Sequence, residues 1–286
     1  MGEVYEGTDE QSPGSRIAIK ILHAEYAHDA ELNARLRREA DCAEKIRSPH
    51  VARVLVAGEN REGRGWIAFE FLHGENLGEF LRRDRTLRFG EVAWMMEHTL
   101  RGLADAHAVD VVHRDIKPAN LFIETRGPRL RICDFGVAKR LRTDGVTSGL
   151  TQLGDIVGTP SYASPEQLEN AKGIDARTDI YSTALVGYRA LTGRLPFEHQ
   201  EFGAMREMKR LGVIASLTHA SGVTWPDALE SWFRRAAATN RDERFESATA
   251  ALEEWLRVCE VMRDHVLSAA PSGPPREDTD LAPSSG

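Results

Sequence analysis

The chain has 286 residues, of which 41% are hydrophobic and 28% are charged, a balance typical of an ordinary water-soluble globular protein. Its formal net charge of −7 argues against a nucleic-acid backbone or an anionic membrane as the principal partner. The three cysteines lie far apart with no CxxC pair, which argues against a disulfide framework or a zinc site and favours a reduced, cytoplasmic setting.

The front of the chain is typical of short strands around one helix. VYEG and RIAIKIL flank the turn-rich DEQSPGS, which predicts a hairpin with Lys20 on its second strand. VARVLVAGE and GWIAFEFL predict further strands. Between the hairpin and these strands, residues 29–46 carry apolar side chains at helical spacing, but Glu39 occupies an inward position. A carboxylate on a buried face needs a partner.

After His73 the pattern becomes helical. One face of the first long helix is predicted to carry Val92, Met95, Thr99, Leu103 and Ala106. The runs VVH, LFI and LRIC between positions 111 and 133 predict buried β segments, and helices return around 179–191 and 228–262. We therefore predict an α+β chain with a β-rich front lobe, a helical rear lobe and a cleft between them, where ligand sites are common.

Neither a membrane segment nor a secretory signal is predicted. No apolar run approaches the roughly 20 residues that span a bilayer, and the N-terminus lacks a basic stretch followed by an apolar one. Residues 268–286 are rich in Pro, Ser, Gly and acidic side chains, which cannot bury enough apolar surface to fold. We predict a disordered tail there.

Five motifs stand in the order and spacing of one family: IAIK, HRDIKPAN, DFG, GTPSYASPEQ and an arginine in RDERF. Together they resemble the eukaryotic-type protein kinases, and ASPEQ is most similar to the bacterial serine/threonine branch. The resemblance covers the chain to about residue 256. It implies a bilobal kinase domain over residues 1–267, with a small antiparallel-sheet N-lobe (1–72) that carries one main helix and a larger helical C-lobe (73–267).

The resemblance makes HRDIKPAN the catalytic loop. Asp115 would orient or deprotonate the hydroxyl of the substrate, and Lys117 would neutralise charge on the γ-phosphate. Asn120 and Asp134 would bind magnesium, a hard cation that prefers oxygen ligands. The plain alternative is a polar loop capped by Asp and Asn, which is disfavoured because an eight-residue match between two strands rarely arises by chance.

Lys20 and Glu39 complete this catalytic set. The resemblance pairs them and places Lys20 on the α- and β-phosphates of ATP, which accounts for the inward position of Glu39. The alternative is a strand-end lysine that reaches water and a solvated glutamate. The residues implied to bind the nucleotide are Gly2, Val4, Ala18, Lys20, Glu39, Glu70, Leu72 and Phe122. The apolar members of this set would also suit any protein core.

The stretch from DFG to Glu166 resembles an activation segment. Thr147 and Thr151 are its predicted phosphorylation sites, although hydroxyls in a glycine-rich loop are more often solvated turn residues. Scaffold roles are implied for a buried pair of Glu166 with Arg244, and for Asp179, which would hold the backbone of the catalytic loop.

The sequence departs from the family at its first residues. A complete glycine-rich loop, GxGxxGxV, covers the phosphates of ATP, and here Gly2 and Val4 match only its last glycine and its valine. The first strand of the N-lobe is missing. Either the true start lies upstream or half of the phosphate clamp is lost, and the retained catalytic residues favour an upstream start.

The resemblance implies a protein serine/threonine kinase that uses ATP and magnesium, acts on protein substrates and phosphorylates its own activation loop. Self-association would allow that last reaction in trans. Two alternatives stay open. A pseudokinase-like binding module would suit the truncated loop but not the retained Lys20, Asp115, Asn120 and Asp134. A small-molecule phosphotransferase of related fold would lack the GTPSYASPEQ platform for an extended peptide.

Overall fold

The fold is taken from a computed structural model, which describes residues 2–10, 14–135, 160–169, 173–197, 201–212 and 214–269, without the side chains of residues 35 and 264–269. The last helix ends at Ala269, so it continues two residues into the predicted tail. Residues 270–286 lie outside the described residues. In the described part of the chain, no helix is both long enough and apolar enough to cross a membrane.

The front of the chain forms a four-stranded antiparallel sheet in the order β1-β2-β4-β3. Its strands are β1 (Gly2–Thr8), β2 (Arg16–Leu22), β3 (Val54–Glu59) and β4 (Gly65–Glu70). Lys20 lies opposite Val4 of β1 and opposite Ile67 of β4. Because residues directly opposite each other point to the same face of a sheet, these three side chains share one face.

Helix α1 (Ala30–Glu44) packs on that face and ends two residues before the predicted boundary. It begins after Asp29, whose carboxylate accepts hydrogen bonds from the first free N–H groups of the helix, those of Glu31 and Leu32. The helix and the sheet share a small apolar core, formed by Leu22, Leu36, Ala40, Ala43, Val54 and Ile67. This packing fixes which side of α1 faces β2.

A second sheet of three short strands follows: β5 (Gly74–Asn76), β6 (Leu121–Glu124) and β7 (Leu130–Ile132). The strands predicted from LFI and LRIC are therefore confirmed. The strand predicted from VVH is wrong, because residues 111–113 form no strand. The backbone N–H of His113 donates to the carboxylate of Asp179, 2.8 Å away, instead of to a neighbouring strand.

The rear of the chain is helical. Its α-helices are α2 (Leu77–Asp84), α3 (Phe89–His107), α4 (Pro165–Leu168), α5 (Arg177–Thr192), α6 (Phe202–Leu211), α7 (Leu217–Ser221), α8 (Asp227–Ala236) and α9 (Ala248–Ala269). The helical pattern expected at 228–262 divides into α8 and α9. All five residues predicted for the inward face of α3 are buried. Helix α5 is buried along almost its whole length.

An ion pair inside this lobe fixes helix α4. Nη1 and Nη2 of Arg244 lie 2.7 and 2.8 Å from the two carboxylate oxygens of Glu166. The Arg244 side chain is fully buried and also donates to the carbonyls of Ala238 and Thr239. Burial raises the pKa of Glu166, but its hydrogen bonds to Arg244 outweigh this effect, so the pKa lies below its usual value.

We expect Glu166→Gln to lower the free energy of unfolding by about 3 kcal/mol at pH 7, because it leaves the buried Arg244 guanidinium without its counter-ion. Glu166 stabilises the fold above the unfolded pKa of 4.5, and this contribution is lost as the pH falls through the lower folded pKa. The measurement is urea unfolding followed by tryptophan fluorescence. The difference between variant and parent should shrink below pH 4.5.

Glu169→Gln is the matched control for this prediction, because Glu169 follows α4 and is exposed. Its unfolding free energy should stay within about 0.5 kcal/mol of the parent value. Equal losses in the two variants would contradict a stabilising role for the buried pair.

Candidate active site

Three charged side chains meet beneath the front sheet. Nζ of Lys20 on β2 lies 3.3 Å from Oε1 of Glu39 on α1 and 2.8 Å from Oδ1 of Asp134, which follows β7. The Lys20 side chain is 19% exposed and that of Glu39 only 6%, whereas that of Asp134 is 43% exposed. The Lys20 ammonium therefore links the front sheet to α1 and to the segment that follows β7.

Burial and ion pairing shift the pKa of Lys20 in opposite directions. Burial lowers the pKa of its ammonium, but the nearby carboxylates of Asp134 and Glu39 outweigh this effect, so the pKa lies above its usual value. Burial raises the pKa of Glu39, with Lys20 opposing the shift. Lys20 therefore carries a permanent positive charge that can contact an anionic ligand in the cleft.

The loop between α3 and β6 places a carboxylate beside a cation. Nζ of Lys117 lies 2.8 Å from Oδ2 of Asp115. Nδ2 of Asn120 donates to the backbone carbonyl of Asp115 at 2.8 Å and closes the loop on itself. Asp115 and Lys117 are each about one-fifth exposed, so both can reach a ligand in the cleft.

Asn120 and Asp134 come from segments that are hydrogen-bonded to each other. The backbone N–H of Cys133 donates to the carbonyl of Asn120 at 2.8 Å, which brings Asp134 next to the loop. Because the amide nitrogen of Asn120 is engaged by the loop, its oxygen is the atom that it could offer a cation. Two hard oxygen donors suit Mg²⁺, which usually completes its shell with water and phosphate. Among the described residues, no three His, Cys, Asp or Glu side chains form an independent metal cluster.

A buried carboxylate holds the loop from behind. Oδ2 of Asp179 accepts the backbone N–H of His113 at 2.8 Å, and its Oδ1 accepts that of Arg114 at 2.7 Å. Nε2 of His107 lies 2.9 Å from the same carboxylate. The contact of His107 with Asp179 could not be predicted from a local sequence pattern, because it joins the last residue of α3 to α5, 72 positions away.

Two non-glycine residues of the site have left-handed backbone conformations, Arg114 with φ of 63° and Asp134 with φ of 57°. Such conformations cost energy and persist where surrounding contacts impose them. The contacts of Asp179 with the loop backbone and of Lys20 with Asp134 supply such constraints.

The residues predicted to contact the nucleotide lie on β1, β2, α1 and β6 and at or just after the end of β4. Val4, Ala18 and Lys20 share the face of the sheet that turns towards α1, because Val4 is paired with Lys20 and Ala18 is two residues away on the same strand. Val4 is 67% exposed on this face. Phe122 on β6 is half-buried.

Gly2 lies within β1 opposite Leu22. A Cβ atom at this position would stand 2.6 Å from the carbonyl oxygen of Ile21, so the close approach of the two strands requires glycine.

Glu70 and Leu72 lie where the front sheet passes into the rear lobe. The backbone N–H of Glu70 donates to the carbonyl of Arg53. Its carboxylate lies 2.5 Å from Nη2 of Arg131 on β7. Arg131 also donates to the carbonyl of Pro49, so this arginine, which the sequence did not single out, joins the end of β4 to the segment between α1 and β3.

The predicted phosphorylation sites Thr147 and Thr151 lie outside the described residues. The described chain resumes at Pro160 and continues into α4, where Nε2 of Gln167 donates to the carbonyl of Arg114 at 2.8 Å. Helix α4 is therefore tied to the loop that carries Asp115.

The whole arrangement can be compared with known proteins. Residues 1–256 match the Protein kinase domain family. This chain belongs to that family. The site is therefore that of a kinase domain, and the predicted bilobal α+β fold with a small antiparallel sheet and a helical C-lobe is confirmed.

Curated relatives of this kinase domain are bacterial serine/threonine kinases, which confirms the predicted branch. Serine/threonine-protein kinase pkn2 of Myxococcus xanthus is 38% identical over 200 residues, which are 69% of this chain and 24% of that protein. Serine/threonine-protein kinase PknA of Mycobacterium tuberculosis is 39% identical over 203 residues, 69% of this chain and 45% of that protein. The chain thus spans less than half the length of these relatives.

Solved structures resemble the kinase domain over most of its length. The crystal structure of the Mycobacterium tuberculosis PknI kinase domain is 28% identical, has a TM-score of 0.69, and matches 91% of each chain.

We expect Glu39→Gln to raise the KM for ATP about tenfold, because a neutral amide no longer fixes the Lys20 ammonium in the cleft. Steady-state kinetics at varied ATP would measure this. Glu44→Gln, near the end of the same helix and exposed, should leave the KM within about twofold. An unchanged KM in Glu39→Gln would show that the pair does not position Lys20 for the nucleotide.

Proposed function

We propose that this kinase domain transfers the γ-phosphoryl group of ATP to serine and threonine hydroxyls of proteins. The observation that carries the proposal is the backbone hydrogen bond from Cys133 to Asn120, which brings the Lys20–Glu39–Asp134 cluster next to the Asp115–Lys117–Asn120 loop. Phosphoryl transfer depends mainly on positioning and on stabilisation of charge, and these two clusters offer groups for both tasks.

Asp115 acts on the accepting hydroxyl. Its carboxylate orients the O–H and takes its proton as the hydroxyl oxygen bonds to the γ-phosphorus. The bond from the γ-phosphorus to the oxygen bridging the β- and γ-phosphates breaks, and ADP leaves with that electron pair. Lys117, already 2.8 Å from Asp115, stabilises negative charge on the transferred group.

Lys20 binds the α- and β-phosphates, and Glu39 holds it in place. Asn120 and Asp134 would bind magnesium, which neutralises phosphate charge when it is present. Val4, Ala18 and Phe122 pack against adenine, and the backbone at Glu70 and Leu72 hydrogen-bonds its edge.

Protein hydroxyls are the proposed acceptors for two reasons. The similar curated proteins are named as serine/threonine-protein kinases. Helix α4 also contacts the loop of Asp115 through Gln167, so residues 160–168 are proposed to receive an extended peptide. The proposal includes phosphorylation of Thr147 and Thr151, self-association for that reaction in trans, and a cytoplasmic location. Residues 1–72 are proposed as the N-lobe and 73–267 as the C-lobe.

The non-catalytic binding module considered from the sequence gains no support from these relatives, which are named as kinases. Within each cluster the charged groups form an ion pair, Lys20 with Asp134 and Lys117 with Asp115, so the residues that a kinase needs are held together in both.

Asp115→Asn tests the proposal, because it removes the carboxylate that takes the proton and keeps the shape of the side chain. With ATP and magnesium, the parent should incorporate phosphate at Thr147, Thr151 or neighbouring hydroxyls, and the variant should do so at least about a hundredfold more slowly. Labelled ATP and mass spectrometry measure both the rate and the position.

Calorimetric binding of magnesium and ATP is the control, and both proteins should bind with similar affinity. Equal rates in both proteins would refute the role of Asp115. Binding without phosphate transfer in either protein would instead support the non-catalytic binding module.

A further inference from the structure

A buried cation outside the two catalytic clusters has an unusual set of partners. Lys209 on α6 is 0% exposed. Its Nζ donates to three backbone carbonyls of one short segment, those of Ser161 at 2.7 Å, Ala163 at 2.5 Å and Pro160 at 3.4 Å. A single side chain therefore binds three of the four carbonyls of residues 160–163, the segment that leads into α4.

The three carbonyl partners favour the ammonium form of Lys209. A charged lysine has three N–H donors for the three carbonyls, whereas a neutral amine has two. The rings of Tyr181 and Phe197 lie 5.4 and 5.8 Å from Nζ and favour the cation. Burial lowers the pKa of Lys209 to about 7, and Glu166 opposes this shift. Within the described part of the chain, no carboxylate forms an ion pair with Lys209.

Stability by itself does not account for a lysine at this position. A buried cation loses its hydration, and an apolar side chain of similar volume is often equally or more stabilising in such a place. What an apolar residue could not do is bind three carbonyls and fix the path of residues 160–163. The contact therefore selects one backbone conformation for that segment.

The segment held by Lys209 lies next to the catalytic loop. Its C-terminal continuation, α4, donates from Gln167 to the carbonyl of Arg114, the neighbour of Asp115. From the other side, Oγ of Ser182 on α5 donates to the carbonyl of Tyr162 at 2.9 Å. When a peptide presents its hydroxyl to Asp115, the neighbouring residues of that peptide lie against residues 160–163.

We propose that Lys209 is a positioning residue for the peptide substrate. Its ammonium fixes the backbone of residues 160–163, and the peptide that carries the accepting hydroxyl lies along that backbone. This inference rests on the proposed kinase function and extends it to the part of the rear lobe that recognises the substrate. Lys209 touches neither ATP nor the hydroxyl, so its effect falls on peptide binding.

Lys209→Met tests this, because it removes the charge and the three donors but keeps an unbranched apolar side chain. Arg210→Met is the matched control, since Arg210 is the next residue of α6, is exposed and pairs with Glu207. For a serine-containing peptide, we expect the KM of Lys209→Met to rise about tenfold or more, with the KM for ATP within about twofold of the parent value. Arg210→Met should change neither.

Each result decides the matter. A fall in kcat with both KM values unchanged would assign Lys209 a purely structural role and overturn the inference. An active parent with an unchanged peptide KM in Lys209→Met would overturn it as well and leave the kinase function intact. A parent that transfers no phosphate to peptide or to itself would refute the kinase function, and this inference with it.

Near-UV circular dichroism shows whether Lys209→Met folds, and Lys209→Gln, which keeps two N–H donors, replaces it if it does not. Hydrogen exchange on the parent tests the inference without any variant. Saturating peptide should slow exchange of the backbone amides in residues 161–168, because the peptide covers that backbone. Unchanged exchange there, in a parent that phosphorylates the peptide, would overturn the inference.

Discussion

The active site depends on one ammonium group that two carboxylates share. Lys20 belongs to β2, Glu39 to α1 and Asp134 to the segment after β7, so three distant parts of the chain must pack correctly before these charges meet. A buried carboxylate that has lost its hydration and lacks a cation destabilises a fold by several kcal/mol. Glu39 can therefore face inward because Lys20 lies opposite, and this ion pair adds to the apolar packing that fixes the rotation of α1 on the sheet.

The rear lobe holds its half of the site in a comparable way. Asp179 is buried on α5 and accepts two backbone N–H groups of the catalytic loop, so the loop is fixed by a helix that is itself almost fully packed. Asp115 is thereby carried on a loop with little freedom, while its carboxylate stays partly exposed. Positioning of this kind places a reactive group before the substrate arrives, which lowers the reorganisation needed in the transition state.

Much of the secondary structure and many of the site residues could be predicted from local sequence patterns. Period-two and helical spacing predicted the front hairpin, most of the other strands and the inward face of α3, because one face of each element must be apolar to pack. Glu39 was identifiable because a charge interrupted an apolar stripe. The motif HRDIKPAN identified the loop through its resemblance to the protein kinases, and its residue types match the needs of phosphate chemistry. Helix α2 was missed, although Asn76 and Glu79 form a capping box that marks its start.

Other features arise only when distant segments pack together. Arg131 meets Glu70 and Pro49 across 61 and 82 positions, and Lys209 meets the carbonyls of residues 160–163 across at least 46. Backbone carbonyls carry no residue identity, so no sequence motif records such contacts. Sequence patterns thus determined the elements and the reactive groups, because both follow from local chemistry. The tertiary structure decided which buried cation meets which acceptor, because that depends on how the elements cross in space.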